Sequence, residues 1–340
     1  PNMRTLRTPY GDITQRMDGA GRLIGITTEF GAFELRYGDE GLVEVAYPNG
    51  TAGEFQQEAT EAELTISSPH GTLFSQKSVA ENDLTISRIS GDLQELYVFD
   101  PVHQIIKADL GTHSYEFVYD QWGNRIREKI GDETIESGFF PDSRQIVRGG
   151  VTFAYDSLGR RIRDSDDETE RSYSWSPDGR LNKTEVIGRS IEYQYDPSGL
   201  MTGRKEGLTQ TRIIYDRLNP LLEIDRNSSG ELLEYRLLIY GQEVDSILAI
   251  IVGRPTADPE NVSGSEFSTR AYFLHRDERN NVILVTDQSG SPVASYRYDP
   301  FGNLIDRQGS FISPFLFAAQ RVDRETGLHY MRARHYDPAN

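Results

Sequence analysis

Cysteine is absent from the 340 residues. That removes disulfides, thiolate metal sites and a cysteine nucleophile together. Basic residues are outnumbered: 36 Lys and Arg against 53 Asp and Glu give a formal charge of −17. A surface so acidic repels phosphate backbones, so nucleic acid is not an expected partner. No apolar run approaches the roughly 18 residues of a spanning helix; the longest, "SILAIIVG" at 246–253, fits one buried strand. No segment has the pattern of a signal peptide. The opening "PNMR" has no initiating Met, which points to a fragment or a processed product. Helical periodicity is missing too, apart from a short turn expected near 321–326.

Glycine (31) and tyrosine (18) are plentiful instead, and they recur. The stretches "FVYDQWGNRI" (117–126), "FAYDSLGRRI" (153–162), "YSWSPDGRLN" (173–182), "YQYDPSGLMT" (193–202) and "YRYDPFGNLI" (296–305) share one plan. An aromatic–x–aromatic triplet is followed by Asp or Ser, two residues, Gly and an alternating exit. The second aromatic marks the register at Phe99, Tyr119, Phe139, Tyr155, Trp175, Tyr195 and Tyr215, in steps of 20 residues with one of 16. A weaker copy spans Met17 and Tyr37.

The chemistry of one copy predicts a hairpin. Period two places both rings on one strand face. Asp bonds nearby backbone while Gly accepts a positive φ, which suits a tight turn. One such unit cannot bury its aromatic face alone, so units stack edge to edge and inner edges disappear. The expected fold is all-β: a long antiparallel array of hairpins curling into a shell. The pattern divides the chain into a weakly matching β-repeat region (1–94), a hairpin array (95–219) and a distinct C-terminal segment (220–340). Within the last, residues 254–270 are rich in Pro, Ser, Gly and Asp and read as a mobile surface loop.

Candidate chemistry is sparse. The histidines are His70, His103, His113, His275, His329 and His335. His275 and Asp277 share a strand face by spacing. His329 and His335, six apart, would lie about 20 Å apart on one strand, too far for a single metal. No HExxH spacing, no glycine-rich loop opening a helix and no G-x-S-x-G elbow occurs. No cofactor or metal is expected. In the closing segment, Asp323 opens "DRETGL" and Asp337 precedes Pro338; both read as turn residues rather than as a proton-sharing pair.

The "YD" units resemble the repeats of Rhs proteins, teneurins and the C component of bacterial Tc toxins. "YGQEVD" (240–245), "YFLHRDERNNVILVTDQSGSPVASYRYDPFGN" (272–303) and above all "FLFAAQRVDRETGLHYMRARHYDP" (315–338) are similar to that family's later motifs. The resemblance covers 95–340 well and 1–94 weakly. It implies a hollow, non-catalytic β-shell that encloses a C-terminal toxin or effector domain, with the final signature turned inward as a plug. It implies a secreted or cell-surface protein made in the cytoplasm, working with a secretion apparatus or toxin complex. In many members an aspartate pair beyond the signature cuts the chain; here the sequence stops at Asn340, before that "DPxG…DPxG" region. Self-cleavage is therefore expected only in a longer chain, and Arg334 matches the arginine accessory to it. Teneurins imply the alternative, an extracellular module that binds glycan or protein on an outward aromatic face.

Overall fold

The computed structural model describes residues 2–39, 41–256 and 267–340. Among these residues, 29 strands form one sheet with antiparallel neighbours, and a separate three-stranded sheet lies near the C-terminus. The only helical element described is a 3₁₀ turn, Phe317–Ala319, in which Ala318 has φ 50°. The turn expected near 321–326 is present, closed by a 2.7 Å bond from the Gly327 N–H to the Asp323 carbonyl.

Most repeat turns are built by their aspartate, and in "YSWSPDGRLN" Ser176 takes its place, its Oγ accepting from the Arg180 N–H at 3.1 Å. In "YDQWGN", the Asp120 N–H donates to the Asn124 carbonyl (3.0 Å) and the Gly123 N–H to the Asp120 carbonyl (3.1 Å). The Asp120 carboxylate accepts from the Trp122 and Asn124 N–H groups, both at 2.9 Å. Gly123 has φ 83°, the left-handed conformation that closes such a three-residue loop. His103, at φ 61°, occupies the matching position after Asp100. Its place in the sequence is thus explained by the turn, without ligand chemistry.

The two aromatics of a repeat do different work. The first is buried: Phe117, Phe153, Tyr173 and Tyr193 are all below 9 % exposed. The second stands at a register shift at or next to the end of its strand, as at Tyr119, Tyr155, Trp175, Tyr195 and Tyr215, so these residues do occupy corresponding positions. They are only half-buried, because the bulge tilts them towards the preceding hairpin. There the polar tip donates to a carbonyl 14 residues back: Tyr37 to Leu23 (2.9 Å), Tyr119 to Ile105 (2.8 Å), Trp175 to Arg161 (2.7 Å) and Tyr215 to Met201 (3.0 Å). Where it forms, this bond lashes a hairpin to the one before. Tyr119→Phe should therefore cost about 1 kcal/mol through one lost hydrogen bond, whereas Phe117→Ala should cost about 3–5 kcal/mol. Urea denaturation of both variants checks the order, and equal losses would contradict the division of labour.

Packing divides the chain at other points than the repeat register does. One compact unit comprises residues 1–55, 65–73 and 191–338; the other comprises 56–64, 74–190 and 339–340. In the first unit, Ile13, Leu23, Ile26, Phe33, Val45 and Tyr47 share a core with Leu222, Leu237, Ile251 and Phe273. A second cluster joins Leu238, Ile247, Leu274, Val285 and Tyr296 to Phe315, Leu316 and Ala319 of the closing segment. In the second unit, arginines cover the buried rings: Arg161 lies 4.4 Å from the Phe153 centroid and 5.5 Å from that of Tyr173, and Arg88 lies 5.2 Å from Tyr97.

The strands flanking "RPTADPENVSGSEFSTR" run further than expected. Ile247–Pro255 and Phe267–Arg276 pair as far as Pro255 opposite Phe267. Residues 254–255 and 267–270, assigned to a loop by composition, thus belong to a hairpin, because ladder bonds override local propensity. Residues 257–266 of the expected mobile loop lie outside the described residues.

Candidate functional site

The site is the seat of the closing segment in the first unit. The segment is short of secondary structure: two residues of strand at Arg321–Val322, then His329–Met331 and Arg334–Tyr336. Side chains fix it instead. Three ionic contacts pin it to the strands beneath.

The first peg is Arg321. Its Nη1 donates to Glu223 Oε2 (3.0 Å) and lies 2.9 Å from Oε1. Glu223 is fully buried and also accepts from Arg236 Nε at 2.8 Å. Arg236 reaches Asp225 at 2.8 Å and Glu234 at 2.5 Å. Burial alone would favour a neutral Arg236, but the Glu223 and Asp225 carboxylates hold its ionisation well above the ordinary value. Asp225 moves the other way: burial pushes it up, and Arg236 more than reverses that.

The second peg is Asp323. It accepts from the Tyr193 hydroxyl at 2.6 Å and from Arg204 at 3.3 and 3.4 Å. Arg204 also holds Glu206 at 2.6 Å. Beside them the Met201 N–H donates to the Tyr330 hydroxyl at 2.7 Å. The third peg is Arg332, which grips Asp245 of "YGQEVD" with both terminal nitrogens, at 2.6–3.1 Å. Burial raises the Asp245 carboxyl above its usual range despite that partner.

Arg332 has φ 55° and turns the chain back on itself. Its backbone corrects the expected geometry of the histidines. His329 and His335 do not share one strand; they sit on the two strands of a hairpin, His329 opposite Tyr336 and His335 opposite Tyr330. They face opposite sides. His329 meets the rings of Phe317 and Tyr336, and His335 those of Tyr193 and Tyr330.

Arg334, the predicted accessory residue, is exposed on the second strand of this hairpin. Asp323 and Asp337 keep turn positions, and Asp323 is committed to Tyr193 and Arg204. His275 and Asp277 are not joined. His275 is buried, with Nε2 3.0 Å from Thr286 Oγ1, and burial together with Arg276 holds its ring down at about 3. Asp277 instead caps its own turn through Arg279, Asn281 and the Asn281 amide. Among the described residues no group of three or more His, Asp or Glu is placed to hold a metal, and no helix is long and apolar enough to cross a membrane.

Sequence reasoning missed Glu223, Arg204 and Tyr193 as anchors. A signal was present. Five residues after four of the five repeat glycines, opposite the first aromatic, stand Glu128, Asp164, Thr184 and Arg204. Glu223 takes the equivalent place opposite Ile213. These polar side chains point inward, where alternation alone would put an apolar residue.

In the second unit an open cleft of about 710 Å³ lies between two repeat turns, lined by Asp100, Val102, Gln104, Ile106, Val118 and Trp122, among others. The Trp122 side chain is 68 % exposed.

Comparison with known proteins agrees with this architecture. The profile of the family described as "Teneurin YD-shell" matches residues 75–340. The tRNA3(Ser)-specific nuclease WapA of Bacillus spizizenii is 26% identical over 258 residues, 71% of this chain and 10% of that protein. Teneurin-m of Drosophila melanogaster is 22% identical over 67% of this chain and 8% of its own length. The chain thus spans about a tenth of the length of these curated relatives. The TcdB2-TccC3 crystal structure superposes with a TM-score of 0.63 at 14% identity, over 96% of this chain and 20% of that one.

Proposed function

The chain belongs to the teneurin YD-shell family, and from that membership we propose that it is part of a β-shell enclosing a C-terminal toxin or effector domain for secretion and delivery. The closing segment seals the shell. The observation that carries this reading is where the polar and aromatic groups of the repeat are spent. The first rings are buried, the second rings tie hairpin to hairpin, and two of the inward charges, Arg204 and Glu223, hold the closing segment in place. Self-cleavage belongs to a longer chain, in which Arg334, exposed and uncommitted to the wall, is the accessory group. Relatives named as tRNA nucleases suggest an enzymatic cargo, and the fold shared with TcdB2-TccC3 suggests a place in an exported toxin complex.

The test is protease protection in the full-length protein. The domain downstream of the closing segment should resist a broad-specificity protease in the native state and become cleavable when the wall is loosened by Glu223→Gln. Equal digestion in both states would refute containment.

A second reading, a teneurin-like adhesion module, has one observation in its favour. Trp122, Val102 and Val118 are exposed beside Asp100 and Gln104, a mixed apolar and polar surface of the kind that recognises sugars or proteins. Loss of cell-surface or glycan-array binding on Trp122→Ala, with cargo protection unchanged, would select it.

A further inference from the structure

We infer that the hairpin carrying His329 and His335 makes the closing segment an acid-sensitive seal, which leaves its seat on mild acidification while the rest of the first unit stays folded. The inference rests on the reading of that segment as a seal.

The geometry is a hairpin whose first strand is buried at His329 and Tyr330 and whose second is half-buried at His335 and Tyr336. His329 is 3 % exposed, and its Nδ1 is buried without a hydrogen-bond partner. His335 has its Nε2 in the same condition on the opposite face. A proton added to either atom would be a charge with no acceptor in a site closed by rings. Around His329 stand Phe317 of the 3₁₀ turn, Tyr336 of the partner strand and the Asp337 carboxylate of the tail. Around His335 stand Tyr193, Tyr330 of the partner strand and the Asp323 carboxylate. Beyond Asp323 lie Arg204 and its second partner Glu206. Asp323 is already engaged by Tyr193 and Arg204, so its charge is largely balanced and offers an imidazolium little. Asp337 raises the His329 ring, but less than burial lowers it.

Burial therefore dominates and holds both rings down to about 4, from an ordinary 6.5. The folded pKa is depressed, so the released hairpin binds protons more readily than the seated one. The seat is at full strength above about pH 6.5 and is lost progressively towards pH 4. Between about pH 7.5 and about pH 5 the opening equilibrium should shift roughly thirty-fold per histidine and several-hundred-fold for both. His275 has its own buried place in the strand Phe267–Arg276 and gains a proton only if that strand leaves the core. Local opening thus precedes unfolding.

The absence of cysteine makes the test direct. Leu328→Cys, next to His329 and 3 % exposed, reports the seal; Ala249→Cys, 1 % exposed in the strand Ile247–Pro255, reports the core. Each is labelled with dithiodipyridine, and its rate is divided by that of the urea-unfolded chain at the same pH. The seal probe should gain several-hundred-fold over that range and react far faster than the core probe at every pH, since the core reacts only through the rarer unfolding of the unit. The gain should largely vanish in the His329→Asn/His335→Gln background. Equal rates at the two probes across the range, or no gain at the seal, would overturn the inference. If the double variant does not fold, histidine ring resonances of the unsubstituted chain decide: His329 or His335 titrating near 6.5 while the seal probe remains shielded is incompatible with it. Cargo protection at neutral pH is measured separately, so failure of acid opening leaves the containment reading standing.

Discussion

Glu223→Gln is expected to lower the stability of the chain by about 3–5 kcal/mol, the cost of leaving a buried charge without its partner. Glu223 is the one carboxylate shared by Arg236 and Arg321. Arg236 retains Asp225 and Glu234 after the substitution. Arg321 makes a direct ion pair with neither, and it is only 14 % exposed at its side chain. The penalty thus falls mainly on the closing segment. A fall in thermal midpoint on the order of 10 °C should follow, with faster amide exchange at 315–336 as the local sign. The double variant Glu223→Gln/Arg321→Met removes both charges of the pair and should cost less than the sum of the single changes. Additive losses, or a single-variant cost below about 1 kcal/mol, would mean that this peg does not hold the segment.

Phe273→Ala should be comparably damaging, at about 3–5 kcal/mol, for an unrelated reason. Phe273 is buried between hairpins far apart in sequence. Its ring centroid lies 5.8 Å from that of Phe33 and 6.1 Å from that of Tyr47. Tyr47 is in turn fixed by its hydroxyl, which donates to the Leu274 carbonyl at 3.0 Å. Deleting the ring leaves a cavity on both sides, and ladder bonds hold the backbone too firmly for it to collapse. Urea denaturation gives the cost, and hydrogen exchange at 23–47 shows whether the early strands loosen with it. Protection there unchanged, with a cost under about 1 kcal/mol, would show that these strands do not depend on Phe273.

Much of this was legible in the sequence. The 20-residue register, the Asp-x-x-Gly turn, the all-β class and the likeness of the closing segment to a known signature were all available from residue order. The inward polar ladder of Glu128, Asp164, Thr184 and Arg204 could have been read from the same register, since each stands five places after a repeat glycine. It was missed because, in a strand with one wet face, a charged residue normally marks the solvent side. The hairpin of His329 and His335 was not legible. Its turn depends on Arg332 at positive φ, a conformation with no residue-level signal outside Gly, Asn and Asp. The assignment of 254–270 to one loop failed at its ends for a related reason, as composition does not register a ladder bond.

By itself the sequence determined the repeat: where each hairpin turns, which ring ends each strand and how units succeed one another. These are fixed by interactions reaching over four or five residues, such as Asp120 with Asn124, or across one repeat, such as Tyr119 with Ile105. Only the tertiary structure decided the partners. Arg321 meets Glu223 across 98 residues, Tyr193 meets Asp323 across 130, and Tyr47 meets Leu274 across 227. A strand presents the same alternation whichever face it later covers. The choice of partner therefore depends on where the chain returns, and burial then makes that choice costly to undo.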